Sequence, residues 1–357
     1  MDNILRRIAR PLWLPLRNRL LARLAPSVLA EAERLVGTRL AEFRAELGAL
    51  RTNMGLLNGN VQQLDVEMGT FDARIAAGYA ARQLLPALDA PTQPADAPFL
   101  QYATCCASDF THPRYHAICK LLHGRPVWHR KQWEWVFIVH HLVEAGVLTH
   151  GSRGIGFGVG SESLPALFAS FGAQVVATDA ADDVWGWAEN GQHSSSSDKL
   201  RAPWIVSDEA FDLLVSHQAA DMNAIPAHLA GFDFTWSSCC FEHLGSLLAG
   251  MDFVVNSVEQ CLKIGGVAVH TTEFNVGSNE DTATEGITVI YRKRDIDELV
   301  GRLRDRGHDV LPFAIGPIAH HLDHHVDVPP YASEPHLKLR LAGHVTTSAG
   351  LVIRRGR

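Results

Sequence analysis

The chain has 357 residues, 46% of them hydrophobic, 20% charged and 8% aromatic. That composition excludes a wholly disordered or collagen-like chain, and no apolar run approaches the roughly 20 residues of a spanning helix. The net charge of −7 argues against nucleic acid as the main partner, because phosphate binding calls for a basic surface.

The first element contradicts that overall charge. Residues 1–26 interleave Leu, Ile and Trp13 with Arg6, Arg7, Arg10, Arg17, Arg19 and Arg23. The segment carries about +5, leaving the remainder near −12. A short helix with a basic polar face can lie on an anionic membrane surface. We therefore read residues 1–28 as a basic amphipathic segment, not a secretory signal, since Arg and Pro interrupt any apolar stretch.

From 29 to 85 the expectation is a coiled coil. Val36, Leu40, Phe43, Leu47, Leu50, Met54, Leu57, Val61, Leu64, Met68, Phe71 and Ile75 recur at alternating steps of four and three. A 3.5-residue apolar repeat winds helices around one another. Residues 36–75 are thus expected to hold the protein as a homo-oligomer, a dimer or trimer. Residues 86–98, rich in Pro, Ala and Asp, read as a linker.

Residues 99–357 read as one globular domain. Candidate strands are Gly154–Val159, Gln174–Thr178, Leu213–His217, Phe232–Ser237, Val267–Thr272, Val310–Ile315 and Ala349–Arg354. They alternate with helical patterns near 129–147, 162–171, 246–263 and 294–306. Such alternation predicts an α/β domain, a largely parallel sheet with helices on both faces. The six cysteines show neither CxxC spacing nor a disulfide framework. They read as reduced thiols in a cytoplasmic protein.

The densest motif is Gly154-Ile-Gly-Phe-Gly-Val-Gly-Ser-Glu162. An apolar strand enters glycines that turn tightly and expose backbone. A second strand ends in Asp179, nineteen residues after Gly160, where a carboxylate suits two ribose hydroxyls. The glycine spacing is G-x-G-x-G, not the G-x-G-x-x-G of a dinucleotide fingerprint.

With these blocks the chain resembles the class I S-adenosylmethionine-dependent methyltransferases over roughly 110–355. The resemblance rests on the loop, Asp179, Asp221-Met222-Asn223, the strand Phe232–Ser238 and Leu262-Lys-Ile-Gly-Gly266. It implies a Rossmann-like seven-stranded sheet and S-adenosylmethionine as cofactor. It also implies cofactor contacts from Gly156, Gly158, Gly160, Glu162, Asp179, Asp221, Met222 and Ser237. The family's acidic residue before the loop is replaced here by Gly154, and Glu162 is the candidate to compensate. RKQWEWVFI (130–138), SSCCFEHLGS (237–246), HTTEFN (270–275) and HLKL (336–339) look more narrowly like methyltransferases of bacterial polysaccharide and O-antigen clusters. That likeness implies O-methylation of a sugar hydroxyl in a cell-surface glycan, with the enzyme cytoplasmic or peripheral on the inner membrane face.

Methyl transfer needs an aligned acceptor and removal of its proton. His243 is the candidate general base, because imidazole titrates near neutrality. Glu242 would orient it or contact the cofactor, and Glu273 would grip sugar hydroxyls or serve as alternative base. His270 and Thr272 should face one side of their strand, Thr271 and Glu273 the other. The run His320–Asp327 reads as a substrate-facing loop, with no metal assigned, and Tyr331 offers an aromatic face. His112–His116 and Lys131–Trp135 precede the loop as a lid, with either Trp133 or Trp135 in the core. Gln192-His193 reads as a mobile loop. Two other readings stay open: a methyltransferase of a small phenol or lipid quinone, and a coiled-coil scaffold with a degenerate catalytic domain.

Overall fold

The computed structural model describes residues 34, 37–41, 43–50, 54, 85–181 and 196–357. It divides into two units, Met1–Ala76 and Ala77–Arg357. In the first, residues 37–41 and 43–50 are helical, and Leu40, Phe43, Leu47, Leu50 and Met54 of the apolar repeat stand exposed. The basic segment 1–26, most of the repeat and Gln192-His193 lie outside the described residues.

The second unit is built on an eight-stranded mixed sheet. Its strands are β1 (Arg153–Phe157), β2 (Gln174–Asp179), β3 (Val215–Ala219), β4 (Phe232–Ser238), β6 (Leu262–Asn275), β8 (Asp309–Val310), β9 (Lys338–Leu341) and β10 (His344–Arg354). A separate two-stranded ribbon joins β5 (Gly245–Ser246) to β7 (Glu285–Gly286). The order is β3-β2-β1-β4-β6-β10-β8, with β9 also on β10. The strands from β3 to β6 run parallel, and β10 is antiparallel to β6, β8 and β9. This is the Rossmann-like α/β architecture expected from the sequence, with eight strands in place of seven. The carboxyl ends of β1, β2, β4 and β6 share one edge, where open α/β sheets bind ligands.

The helices are α1 (Ala107–Phe110), α2 (Pro113–Leu121), α3 (Arg130–Glu144), α4 (Leu164–Ser170), α5 (Asp208–Leu214), α6 (Leu247–Asn256), α7 (Lys293–Asp305) and α8 (His321–His324). Two apolar cores cover the two faces of the sheet. One gathers Trp133, Phe137, Phe168, Phe234, Trp236, Val267 and Val269. The other gathers Ile155, Phe157, Phe253, Ala268, Phe274, Leu299 and Leu351. Alternation along β6 sends Val267 and Val269 into one core and Ala268 into the other, while β1 turns Ile155 and Phe157 into the second and leaves glycines on the first. Trp133 is the core tryptophan, its indole Nε1 donating to Asp109 at 2.8 Å, and Trp135 is half-buried.

Several elements differ from expectation. β3 begins two residues late because Leu213 and Leu214 complete α5. β8 stops at Val310, and Pro312 lacks the N–H needed to prolong the ladder. The helix expected over 246–263 ends at Asn256 in a π-turn, Ser257–Cys261, that feeds β6. The expected linker 86–98 is packed on the domain: Leu88 is buried, Trp128 Nε1 donates to the Pro86 carbonyl at 2.7 Å, and Thr92 N to Thr111 O at 3.0 Å. All six cysteines are free thiols. Among the described residues no helix is long and apolar enough to cross a membrane.

Candidate active site

The glycine loop leaves β1 at the carboxyl edge. Gly158 and Gly160 adopt φ of +59° and +54°, conformations that favour glycine. A Cβ on Gly158 would stand 2.9 Å from Cys240 Sγ and 3.8 Å from Met222 Sδ. The loop therefore presents bare backbone between those two side chains. Asp179, buried at the end of β2, closes the loop from below. Its Oδ2 accepts from Gly160 N at 3.2 Å and its Oδ1 from Ala180 N at 2.9 Å. Thr178 Oγ1 donates to the Gly156 carbonyl at 2.8 Å. Asp221 is exposed and makes an Asx-type bond, accepting from Asn223 N at 2.8 Å. The structure thus brings Gly156, Gly158, Gly160, Asp179 and Met222 together.

Gly154 cannot carry the family's acidic side chain, since a Cβ there would lie 2.1 Å from the Phe234 ring. Glu162 lies beyond the loop, 6% exposed, and its Oε1 accepts from Trp236 Nε1 at 2.7 Å. Burial pushes its carboxyl up to about 7 against the opposing pull of the indole bond and Lys131.

Ser237 departs from its expected role. Its hydroxyl bonds His270 Nδ1 at 2.8 Å, and His270 Nε2 meets Ser257 Oγ at 3.0 Å. All three are sealed in the interior, so this hydroxyl braces β4 against β6 and does not face the loop. Burial drives His270 down to about 3, which keeps it neutral.

The expected alternation on β6 holds. Thr272 Oγ1 donates to Glu242 Oε2 at 3.0 Å, while Thr271 Oγ1 accepts from Cys239 N at 3.1 Å. Glu242 is 1% exposed, and burial raises its carboxyl above the ordinary range. His243 stands half-buried beside it. Its Nδ1 lies 2.9 Å from the Ile287 carbonyl and 3.2 Å from Thr288 Oγ1. A carbonyl accepts only, so the Nδ1 carries the proton and neutral His243 has its lone pair on Nε2. The orienting bond expected of Glu242 on that nitrogen comes from the Ile287 carbonyl.

Glu273 also differs from expectation. It is 3% exposed, with Oε2 2.8 Å from Arg130 Nη1 and Oε1 accepting from Thr346 Oγ1 at 2.6 Å. Both of its carboxylate oxygens are thus engaged within the protein, so the structure does not present Glu273 as an open grip for sugar hydroxyls or an open base. It belongs to a buried ionic cluster that sequence reasoning missed. The hub is Glu134 of α3, fully buried. It accepts from Lys131 Nζ at 3.0 Å, Ser238 Oγ at 3.1 Å, Cys239 Sγ at 3.0 Å and Ser348 Oγ at 2.5 Å, with Arg130 Nη1 at 3.5 Å. Burial alone would raise its pKa, but Lys131 and Arg130 hold it down at about 2. The available signal was a carboxylate with two basic neighbours inside the apolar helix RKQWEWVFI. Cys239, Glu242 and Glu273 place their ligand atoms within 4.8 Å of one another. Arg130 already supplies the cation at Glu273, and the Cys239 thiol donates to Glu134.

The histidine run is structural for most of its length. His320 Nδ1 accepts from Leu322 N at 3.2 Å, and Asp323 accepts from Ala107 N at 2.9 Å and His320 N at 3.0 Å. Leu322, Asp323 and Asp327 of the run are buried and Asp323 ties α8 to α1, while His321 and His324 stand exposed. Tyr331, 43% exposed, remains on the surface.

No protein-family model and no curated protein matches the chain. Solved structures that resemble it include the 1,6-didemethyltoxoflavin-N1-methyltransferase of Burkholderia thailandensis, 12% identical over 61% of this chain and 76% of that one, TM-score 0.34. Magnesium protoporphyrin IX methyltransferase from Synechocystis PCC 6803 is 12% identical over 63% and 79%, TM-score 0.37. An S-adenosylmethionine-dependent methyltransferase from Clostridium acetobutylicum is 11% identical over 64% and 92%, TM-score 0.36.

Proposed function

We propose that residues 99–357 form an S-adenosylmethionine-dependent O-methyltransferase acting on a sugar hydroxyl in cell-surface polysaccharide synthesis. The observation that carries the reading is the bare Gly156–Gly160 loop closed onto buried Asp179 at the carboxyl edge of the sheet. Asp179 would take the ribose hydroxyls, Met222 and Asp221 would border the adenine, and Glu162 would face the methionine end. The chemistry supplied by the cofactor is an electrophilic methyl group on a sulfonium. The chain must then hold the acceptor in line and take its proton. His243 is the base in this reading, with Nε2 carrying the lone pair. Buried Glu242 next to it would steady the imidazolium as it forms.

The polar surroundings at the β4–β6 edge favour a polar acceptor over a phenol or quinone. The five exposed apolar side chains on the described part of the heptad helix support self-association of residues 36–75. The basic segment 1–26 would add contact with an anionic membrane surface. Incubation with labelled S-adenosylmethionine and lipid-linked glycans, followed by locating the methyl group, tests the substrate. Label on a sugar oxygen supports the reading. Label on a lipid quinone would favour the phenol-type alternative, and no cofactor binding at all would favour the scaffold.

A further inference from the structure

Asp327 and His336 form a hydrogen-bonded pair that the reading above does not use. They are 6% and 7% exposed, with His336 Nδ1 2.6 Å from Asp327 Oδ2. Asp327 is itself fixed, accepting from Val328 N on Oδ1 at 3.0 Å and from Ala332 N on Oδ2 at 2.9 Å. The backbones are pinned as well: His336 N donates to Trp128 O at 2.7 Å, and Asp327 N to Lys338 O at 2.8 Å. With its Nδ1 proton directed at the carboxylate, neutral His336 bears a lone pair on Nε2. That nitrogen has no hydrogen-bond partner among the described residues.

The neighbours define what could meet it. Tyr331 stands edge-on to His336 at 5.4 Å, and its hydroxyl donates to Arg340 O at 2.7 Å, so the exposed ring is held in place. The groups facing the pair are His129, His325, Asp327, Tyr331 and Arg130. His129 stacks on His336 at 4.6 Å and is driven down to about 4 by burial, by His336 and by Arg130. Burial also lowers His325. Both are therefore neutral near pH 7. Arg130 is paired with Glu273 at 2.8 Å, and Lys131 with Glu134 at 3.0 Å. His129 bridges His336 through the backbone and directly precedes Arg130, whose guanidinium reaches Glu273 near the end of β6.

The site thus combines a fixed lone pair, an exposed aromatic face and cations already matched by carboxylates, with Asp327 leaving it no surplus positive charge. An anion would meet Asp327 without a free cation, and a cation would meet the lone pair beside Arg130. We propose that His336 and Tyr331 form an acceptor subsite for a neutral polyhydroxylated ring: a hydroxyl donates to Nε2 while the apolar ring face lies on Tyr331. Naming this ligand an acceptor rests on the methyltransferase reading.

The test uses full-length protein labelled with 15N-histidine, methyl α-D-glucopyranoside as probe, and S-adenosylhomocysteine. We expect His336 to carry its proton on Nδ1, and the probe to shift its Nε2 resonance saturably. Asp327→Asn should return the ring to mixed tautomers. His336→Gln and Tyr331→Ala should each weaken the probe at least tenfold while leaving S-adenosylhomocysteine affinity unchanged. Tyr331 is exposed, so its variant need not perturb folding. A proton on Nε2, no saturable shift at His336, or tighter binding of glucose 1-phosphate there would overturn the proposal. So would variants that weaken both ligands alike. If wild type binds the probe at His336 but no S-adenosylhomocysteine, the methyltransferase reading fails and the subsite stands.

Discussion

Gly156 is glycine because Trp236 occupies the place where its side chain would begin. A Cβ there would lie 2.3 Å from the indole ring, and the nearest atoms belong to a fully buried side chain. Gly156→Ala should therefore cost about 1–3 kcal/mol of stability, the usual range for overpacking a core. Denaturant titration would check it, and an unchanged midpoint would refute the packing argument. The glycine loop was legible as a tight turn of bare backbone, but the packing demand of Trp236 on Gly156 was not, since it comes from a strand 80 residues away. Asp179 was legible as a strand-end carboxylate beside the loop, while its bond to Gly160 N was not. Ser237 was not. Strand alternation says which way a side chain points, not that His270 waits there to bind it. Glu134 was hidden for a similar reason, since Ser238 and Ser348 reach it from 104 and 214 residues away.

At the scale of elements, α3 carries the largest electrostatic commitment. Glu134→Gln would leave Lys131 without its ion-pair partner and Arg130 with Glu273 alone. Removing one partner of a buried ionic group typically costs about 3–5 kcal/mol. The pH dependence follows from the same cluster. Glu134 has a folded pKa of about 2, below the roughly 4.3 of an unfolded glutamate. The folded state thus binds fewer protons between those values, and stability rises with pH across that window. The contribution is complete above about pH 5 and is lost as pH falls toward 2. Thermal melts should show a steeper acid limb for wild type than for Glu134→Gln, and parallel curves would contradict the assignment. The central parallel strands were legible from their apolar runs between glycines and acidic turns. β9, reading Lys-Leu-Arg-Leu, was not: four residues give too little pattern, and its partner β10 decides its fate.

For the whole molecule, the amino-terminal repeat predicts assembly. Leu47→Asp with Leu57→Asp would place charges in the apolar seam and should give monomers. Light scattering that finds wild type monomeric at micromolar concentration would sink the coiled coil. Deleting residues 1–26 should abolish sedimentation with anionic liposomes, and salt should weaken the wild-type binding by screening. Full-length protein that ignores such liposomes at low salt would remove the membrane from the account.

The central claim is that the loop and Asp179 hold S-adenosylmethionine, and calorimetric titration of the wild type and Asp179→Ala with that cofactor tests it most directly. Saturable wild-type binding, weakened in the variant by about 1.5–3 kcal/mol as befits a lost charge-assisted hydrogen bond, is the predicted result. No binding to the wild type, or equal binding by both proteins, would contradict it.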